Sequence, residues 1–182
     1  DALGILRTQE LLEARRIAVE RDRANREAAT ATSVVDFLVG LFQVVTPSNA
    51  RGATLTVRDI LDKGAADLGT RMAEQPAIQG RLFGVMGDVY LNLGMYPESE
   101  ALLRKAIDAQ TKAFGADSVE TAQALSDLGV LDSNYGRYKE SLDLQQRALD
   151  ILERRLPKDD VRVAKVLYRL SNAQESLGNL DD

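Results

Sequence analysis

The sequence predicts an all-α protein, a solenoid of helix-turn-helix hairpins preceded by a long N-terminal helix. Its composition is 45% hydrophobic but only 5% aromatic, with 28% charged residues, a balance typical of amphipathic helices built on Ala and Leu. Alternating runs of β-branched residues, which mark strands, are not found. Beyond residue 76 the sequence repeats with a period of 42 residues, and a fixed period in this range indicates a repeat array.

Residues 1–45 are predicted to form the long helix, charged and amphipathic, because no proline occurs before Pro47. An apolar stripe runs along the segment at steps of three and four residues, the pattern of a helix that packs on another helix. Basic residues alternate with acidic ones on the other faces, which favours a solvated helix over one bound to anionic lipid. A homodimer through this helix is one hypothesis. The stripe consists of Ala14, Ile17, Ala24, Ala28, Ala31, Val35, Leu38, Phe42 and Val45.

Residues 46–76 are predicted to be the loop and second helix of a degenerate first repeat. Pro, Ser, Asn, Gly and Thr cluster after residue 45, as in a loop, and apolar residues at helical spacing follow Thr56. We expect a helix over about 56–74, with Pro76 closing that region. When the repeat is extended back by 42 residues, Leu61 aligns with Leu103 and Gly64 aligns with Ala106. These residues therefore resemble an atypical terminal repeat.

The periodic part divides into repeats 77–118 and 119–160 and a truncated repeat 161–182. Gly94, Gly136 and Gly178 coincide in this register, and such glycines commonly end helices. Each repeat is predicted to be a hairpin, with helices over 79–93 and 97–113 in the first one. Small residues such as Gly87 would let the two helices cross closely. The third repeat is expected to begin its second helix near its end and to leave three apolar side chains exposed, namely Val166, Leu167 and Leu170.

Two stretches, LFGVMGDVYLNLGMYPESEALLRKAI and ALSDLGVLDSNYGRYKESLDLQQRALDI, resemble tetratricopeptide repeats (TPR), in the longer form of kinesin light chains. They follow the pattern L-x-x-L-G…G-x-Y-x-E-[SA]…A-L. Two features depart from that pattern. The tyrosine position held by Tyr90 is occupied by Asp132 and Gln174 in the next repeats, and Gln145 replaces a large apolar residue.

Residues 15–65 are similar to the segment that joins the kinase and TPR regions of large bacterial serine/threonine protein kinases. In that group a kinase domain and a transmembrane helix precede a charged helix and the repeats. The sequence contains no glycine-rich GxGxxG loop, no HRD and no DFG. The resemblance therefore implies a kinase parent anchored in the cell membrane, and no kinase activity for this region itself. The chain opens on Asp1, and we expect it to be part of a longer protein whose localisation the sequence does not fix.

The TPR resemblance implies a protein or peptide partner, bound in a groove formed by the first helix of each repeat. Each inward residue, taken singly, is better explained as a solvated residue of its helix. The candidate binding site is therefore the groove surface as a whole. Lys165 and Asn172 match two positions of the carboxylate clamp of chaperone-binding TPRs, but its other lysines are missing. The inward positions are Arg81, Asp88, Asn92, Gln123, Ser126, Asn134, Lys165, Tyr168 and Asn172.

The composition argues against several other classes of function. Without Cys or His there is no imidazole-based triad and no zinc site of the usual kind, and we expect no cofactor. A net charge of -5 argues against a broad nucleic-acid surface. We expect a non-catalytic protein-interaction scaffold or sensor. The alternative left open is a small-molecule sensor or an enzyme that uses carboxylates and tyrosines.

Overall fold

The structure is a computed structural model that describes residues 56–181 and part of the preceding segment. In that segment it describes residues 12–18, 20, 21, 25, 28, 32, 35, 39 and 40, all of them helical. This agrees with a long N-terminal helix. Of the apolar stripe, Ile17 and Val35 are 58% and 55% exposed. Most of the other stripe residues and the predicted loop lie outside the described residues.

Six helices follow, and the described residues contain no strand, which confirms the all-α class. None of the described helices is long and apolar enough to cross a membrane. The helices are α1 (Val57–Arg71), α2 (Pro76–Asn92), α3 (Tyr96–Phe114), α4 (Val119–Asn134), α5 (Tyr138–Arg155) and α6 (Val161–Asp181).

The start of α1 follows from its capping residues. The Thr56 side chain accepts a hydrogen bond from the Asp59 backbone N–H, and the Asp59 carboxylate accepts one from the Thr56 backbone N–H. This capping box satisfies two donors that a helix N-terminus leaves free. Pro76 does not close this helix region as expected, because α1 ends at Arg71 and Pro76 is the first residue of α2. A proline is tolerated there because the first helical position needs no N–H donor.

Helices α2 with α3, and α4 with α5, form the two hairpins of the solenoid. The turns place Gly94 and Gly136 at φ of 70° and 79°, conformations that glycine adopts without a steric penalty. A Cβ atom built on Gly87 would lie 2.8 Å from Leu103 Cγ, so the predicted close crossing is present and depends on this glycine. Buried Leu68 of α1 joins the core around Phe83 and Tyr90.

The third repeat differs from its prediction. Gly178 lies inside α6, which continues to Asp181 without a turn. The second repeat has an ion pair between Asp132 and Arg137 across its turn, but the first repeat turns at Gly94 with Tyr90 and Met95 at those positions, so the ion pair is not required for a turn.

The expected exposure of the three apolar residues on α6 is only partly right. Val166 is buried, with 3% of its surface exposed, because α6 packs it against α5. Leu170 is half-buried beside the same cluster. Leu167 is 46% exposed, since it occupies the register of Phe83 and Leu125, which the second helix of each complete hairpin covers.

Candidate functional site

A cavity of about 250 Å³ opens between α2, α4 and α6, the first helices of the three repeats. We call it the groove cavity. Five of the nine predicted groove residues line it, because α2, α4 and α6 stack side by side and present the same helical register to it. These five are Arg81, Asp88, Gln123, Ser126 and Lys165.

The other four predicted residues do not line the groove cavity. Asn92, Asn134 and Asn172 are exposed, and the Asn134 side-chain amide donates to the backbone carbonyl of Val130 at 2.8 Å. Tyr168 is 68% exposed. Tyr168 occupies the repeat position that Gly84 and Ser126 hold in the first two repeats, but no described helix packs against it on the far side of α6. The ligand role of these four stays a prediction without support from the cavity.

Ser126 belongs to the floor of the groove cavity and not to its open surface. It is 1% exposed, and its hydroxyl donates to Gln145 Oε1 at 2.6 Å while accepting from Arg169 Nη1 at 2.7 Å. Since one donor and one acceptor site of the hydroxyl are already used, Ser126 serves to orient its neighbours. A hydrogen bond donated by Ser126 to a ligand would displace the one that Ser126 donates to Gln145.

Arg169 and Asp127 are groove residues that the sequence analysis did not name. Arg169 Nη1 donates to Asp127 Oδ1 at 3.0 Å, which joins α6 to α4 across the cavity wall. The two residues are separated by one full repeat. A signal for the pair was therefore present, since opposite charges occupy the same register in consecutive repeats.

The wall of the groove cavity carries charge of both signs. Its basic residues outnumber its acidic ones, in contrast to the net charge of -5 of the chain. Burial raises the pKa of the Asp88 carboxyl, and the neighbouring Asp127 adds to that shift, while Arg169 and Lys165 oppose it. The basic members are Arg81, Arg162, Lys165 and Arg169, and the acidic members are Asp88, Glu120 and Asp127.

Asp117 and Asp160, one acidic residue from each inter-repeat linker, are held in ion pairs. Asp117 bonds Arg154 and Arg155 of α5, and Asp160 bonds Arg162 at the start of α6. Over the part of the chain that the structure describes, no group of three His, Cys, Asp or Glu residues could hold a metal ion. Asp117 therefore ties the first linker to α5, and Asp160 caps the start of α6.

Comparison with known proteins identifies the repeats. No curated protein matches the chain. Residues 79–154 match the model of the tetratricopeptide repeat family, a stretch that runs from within α2 to within α5 and covers nearly all of both hairpins. The chain therefore carries a repeat region of the tetratricopeptide type, a kind of region that generally mediates protein–protein interaction.

Proposed function

We propose that this chain is a non-catalytic interaction module whose groove cavity binds a peptide segment of a partner protein. The observation that carries the proposal is the shape and chemistry of that cavity. Apart from Ser126 its floor is apolar, with Ala124, Leu152 and Val166 at most 7% exposed, and its rim carries the exposed cations Arg81 and Lys165. An apolar floor with a few polar groups at its edge is the usual form of a recognition site.

The most direct test is a peptide array probed with the whole chain and with charge-reversal variants. Arg81→Glu and Lys165→Glu should each abolish or re-sort the binding peptides, because both side chains lie on the rim of the cavity. Arg147→Glu is the matched control, since Arg147 is exposed on α5 and lies outside the cavity lining. Peptides that bind all three variants equally would contradict groove binding.

The rival function is a site for a small molecule, or an enzyme that uses carboxylates and tyrosines. A saturable small-molecule ligand, together with an array on which no peptide binds, would replace the peptide proposal. The five tyrosines of the chain do not favour the enzyme, because none of them lines the groove cavity. The module is therefore the function that the geometry supports best.

The parent protein that we propose is a membrane-anchored bacterial serine/threonine kinase, with this chain as its C-terminal sensory or scaffolding part. The resemblance of residues 15–65 to the kinase–TPR junction supports it. A kinase domain and an apolar stretch of about 20 residues upstream are the expected flanking sequence, and a flanking sequence without them would contradict it.

A variant of this proposal has the N-terminal helix joining two copies through its apolar stripe. Its described members include Ile17 and Val35, both more than half exposed, and apolar residues at this spacing commonly pair helices. Sedimentation of the chain with and without residues 1–30 tests the idea. A dimer that becomes a monomer on truncation is expected, and a monomer in both cases would exclude it.

A further inference from the structure

Gln110 is a buried amide that lines the groove cavity and is not fully hydrogen-bonded. It lies on α3, is 7% exposed, and belongs to the cavity wall. Among the described residues its Oε1 has no hydrogen-bond partner, although that atom is shielded from solvent. Buried polar atoms without a partner are rare in folded proteins, so an unpartnered oxygen on a side chain that lines a cavity requires an explanation.

The second repeat shows that this position does not require a glutamine. One period later the same position is Leu152, which is completely buried. Opposite Gln110 lies Gly80, where an added Cβ would come within 3.0 Å of Gln110 Cδ, and the residue at the Gly80 position in the second repeat is Ala122. The first repeat thus combines the smallest residue with a glutamine where the second combines alanine with leucine.

Gln145 shows what a buried glutamine does in this fold when its amide is satisfied. Its Oε1 accepts from the Ser126 hydroxyl at 2.6 Å and its Nε2 donates to the Ser126 carbonyl at 2.9 Å. One residue therefore supplies both a donor and an acceptor to the same amide. Gln110 presents the same two groups at the cavity wall.

We propose that Gln110 is an amide-binding anchor of the groove cavity, and that the bound peptide inserts an Asn or Gln side chain there. The inference rests on the proposed function and specifies its ligand. The ligand carboxamide donates its N–H to Gln110 Oε1 and accepts from Gln110 Nε2, as Ser126 does for Gln145. Rotation about the last side-chain bond of Gln110, a soft torsion, aims the amide at the cavity.

The charges around the cavity favour a neutral amide over a charged group. A carboxylate cannot donate to Oε1 at all. A cation would enter a wall in which four basic side chains already face three acidic ones, and it would lose its hydration on the apolar floor. A carboxamide carries both a donor and an acceptor and brings no charge to desolvate.

Gln110→Leu is the decisive variant, because Leu152 shows that leucine fits the equivalent position. It removes the unpartnered oxygen, so the midpoint of urea unfolding should rise. For array peptides that contain Asn or Gln, the same variant should weaken binding at least about tenfold, because it removes both hydrogen bonds to the ligand carboxamide. A higher midpoint with unchanged peptide affinity would overturn the anchor and leave groove binding intact.

Small probes test the amide chemistry independently of any peptide. We expect benzamide, titrated into the whole chain and followed by amide NMR shifts, to perturb residues around Gln110 and Gly80, with the shifts lost in Gln110→Leu. Acetophenone has the same shape without the N–H donor and should cause no such shifts. Equal shifts from both probes would overturn the proposal. Benzamide binding that depends on Gln110, together with no peptide hit, would retain the amide site and reject the peptide module.

Discussion

Gln145 and Ser126 are joined by two hydrogen bonds in the interior of the second repeat. The Ser126 hydroxyl donates to Gln145 Oε1 at 2.6 Å, and Gln145 Nε2 donates to the Ser126 carbonyl at 2.9 Å. The pair connects α5 to the groove-facing helix α4, and Gln145 is wholly buried. Gln145 thus occupies the position that Leu103 holds in the first repeat, and both polar atoms of its side-chain amide are hydrogen-bonded.

Gln145→Ala is expected to destabilise the chain by about 2–3 kcal/mol, because it opens a cavity and removes both hydrogen bonds. Gln145→Leu should cost less, about 1–2 kcal/mol, since leucine refills the space as in the first repeat but leaves the buried Ser126 O–H without an acceptor. Urea unfolding measures both. Equal losses for the two variants would show that filling the space matters little there.

Gly87→Ala is expected to destabilise the first hairpin by about 1–3 kcal/mol, as overpacking does in a filled core. The new Cβ would lie 2.8 Å from Cγ of Leu103, and Leu103 is fully buried and cannot move aside.

Gly84→Ala is the matched control on the same helix, because a Cβ there meets nothing within 4 Å. It should stabilise the chain by about 0.5–1 kcal/mol through the better helix propensity of alanine. Thermal unfolding of both variants gives the comparison, and a destabilising Gly84→Ala would show that substitutions in α2 are costly wherever they fall.

The fold was more predictable than the site, for a physical reason. Helix boundaries and turns depend on local signals, so Gly94 and Gly136 could be placed from the repeat alone. The burial of a side chain depends on its neighbours in the folded chain. Ser126 was expected on the open groove because the repeat pattern gives no sign that Gln145 packs against it. Gln110 was missed because its counterpart is a leucine, and only the structure shows that its oxygen lacks a partner.

Arg137→Met is expected to destabilise the chain by about 2–4 kcal/mol at neutral pH, somewhat less than is typical for breaking a fully buried ion pair. Arg137 bonds Asp132 and reaches Glu100 of the preceding repeat at 2.9 Å. Asp132 is 4% exposed, so its carboxylate would be left without a cationic partner.

Two controls separate this charge effect from lost packing. The double variant Asp132→Asn with Arg137→Met should recover part of the loss, because it removes the stranded charge. Burial already raises the pKa of Asp132, against the opposing effect of Arg137. Without Arg137 the pKa of Asp132 in the folded state rises further, so the variant gains more stability from protonation than the unmodified chain does, and the deficit of Arg137→Met should shrink as the pH falls. A deficit independent of pH would contradict the account.

Asp160→Ala is expected to destabilise the start of α6 in a pH-dependent way. The Asp160 carboxylate accepts from the Arg162 backbone N–H at 2.9 Å and from the Arg162 guanidinium at 2.7 Å. These hydrogen bonds lower the pKa of Asp160 to about 2. Because the folded pKa lies below the unfolded one, the stabilisation is complete above about pH 4 and is lost as the pH falls toward 2.

The measurement is the difference in urea midpoint between the unmodified chain and Asp160→Ala, taken from neutral pH down to the acid limit of folding. The difference should be constant at and above about pH 5 and decrease below about pH 4, where the carboxylate begins to take up its proton. Asp159→Ala is the neighbouring control, exposed in the same linker, and should show almost no difference at any pH.

Asp160→Asn separates the two contributions, because an amide oxygen still caps the helix while the ion pair with Arg162 is gone. A deficit for Asp160→Asn as large as that for Asp160→Ala would assign the whole effect to the ion pair.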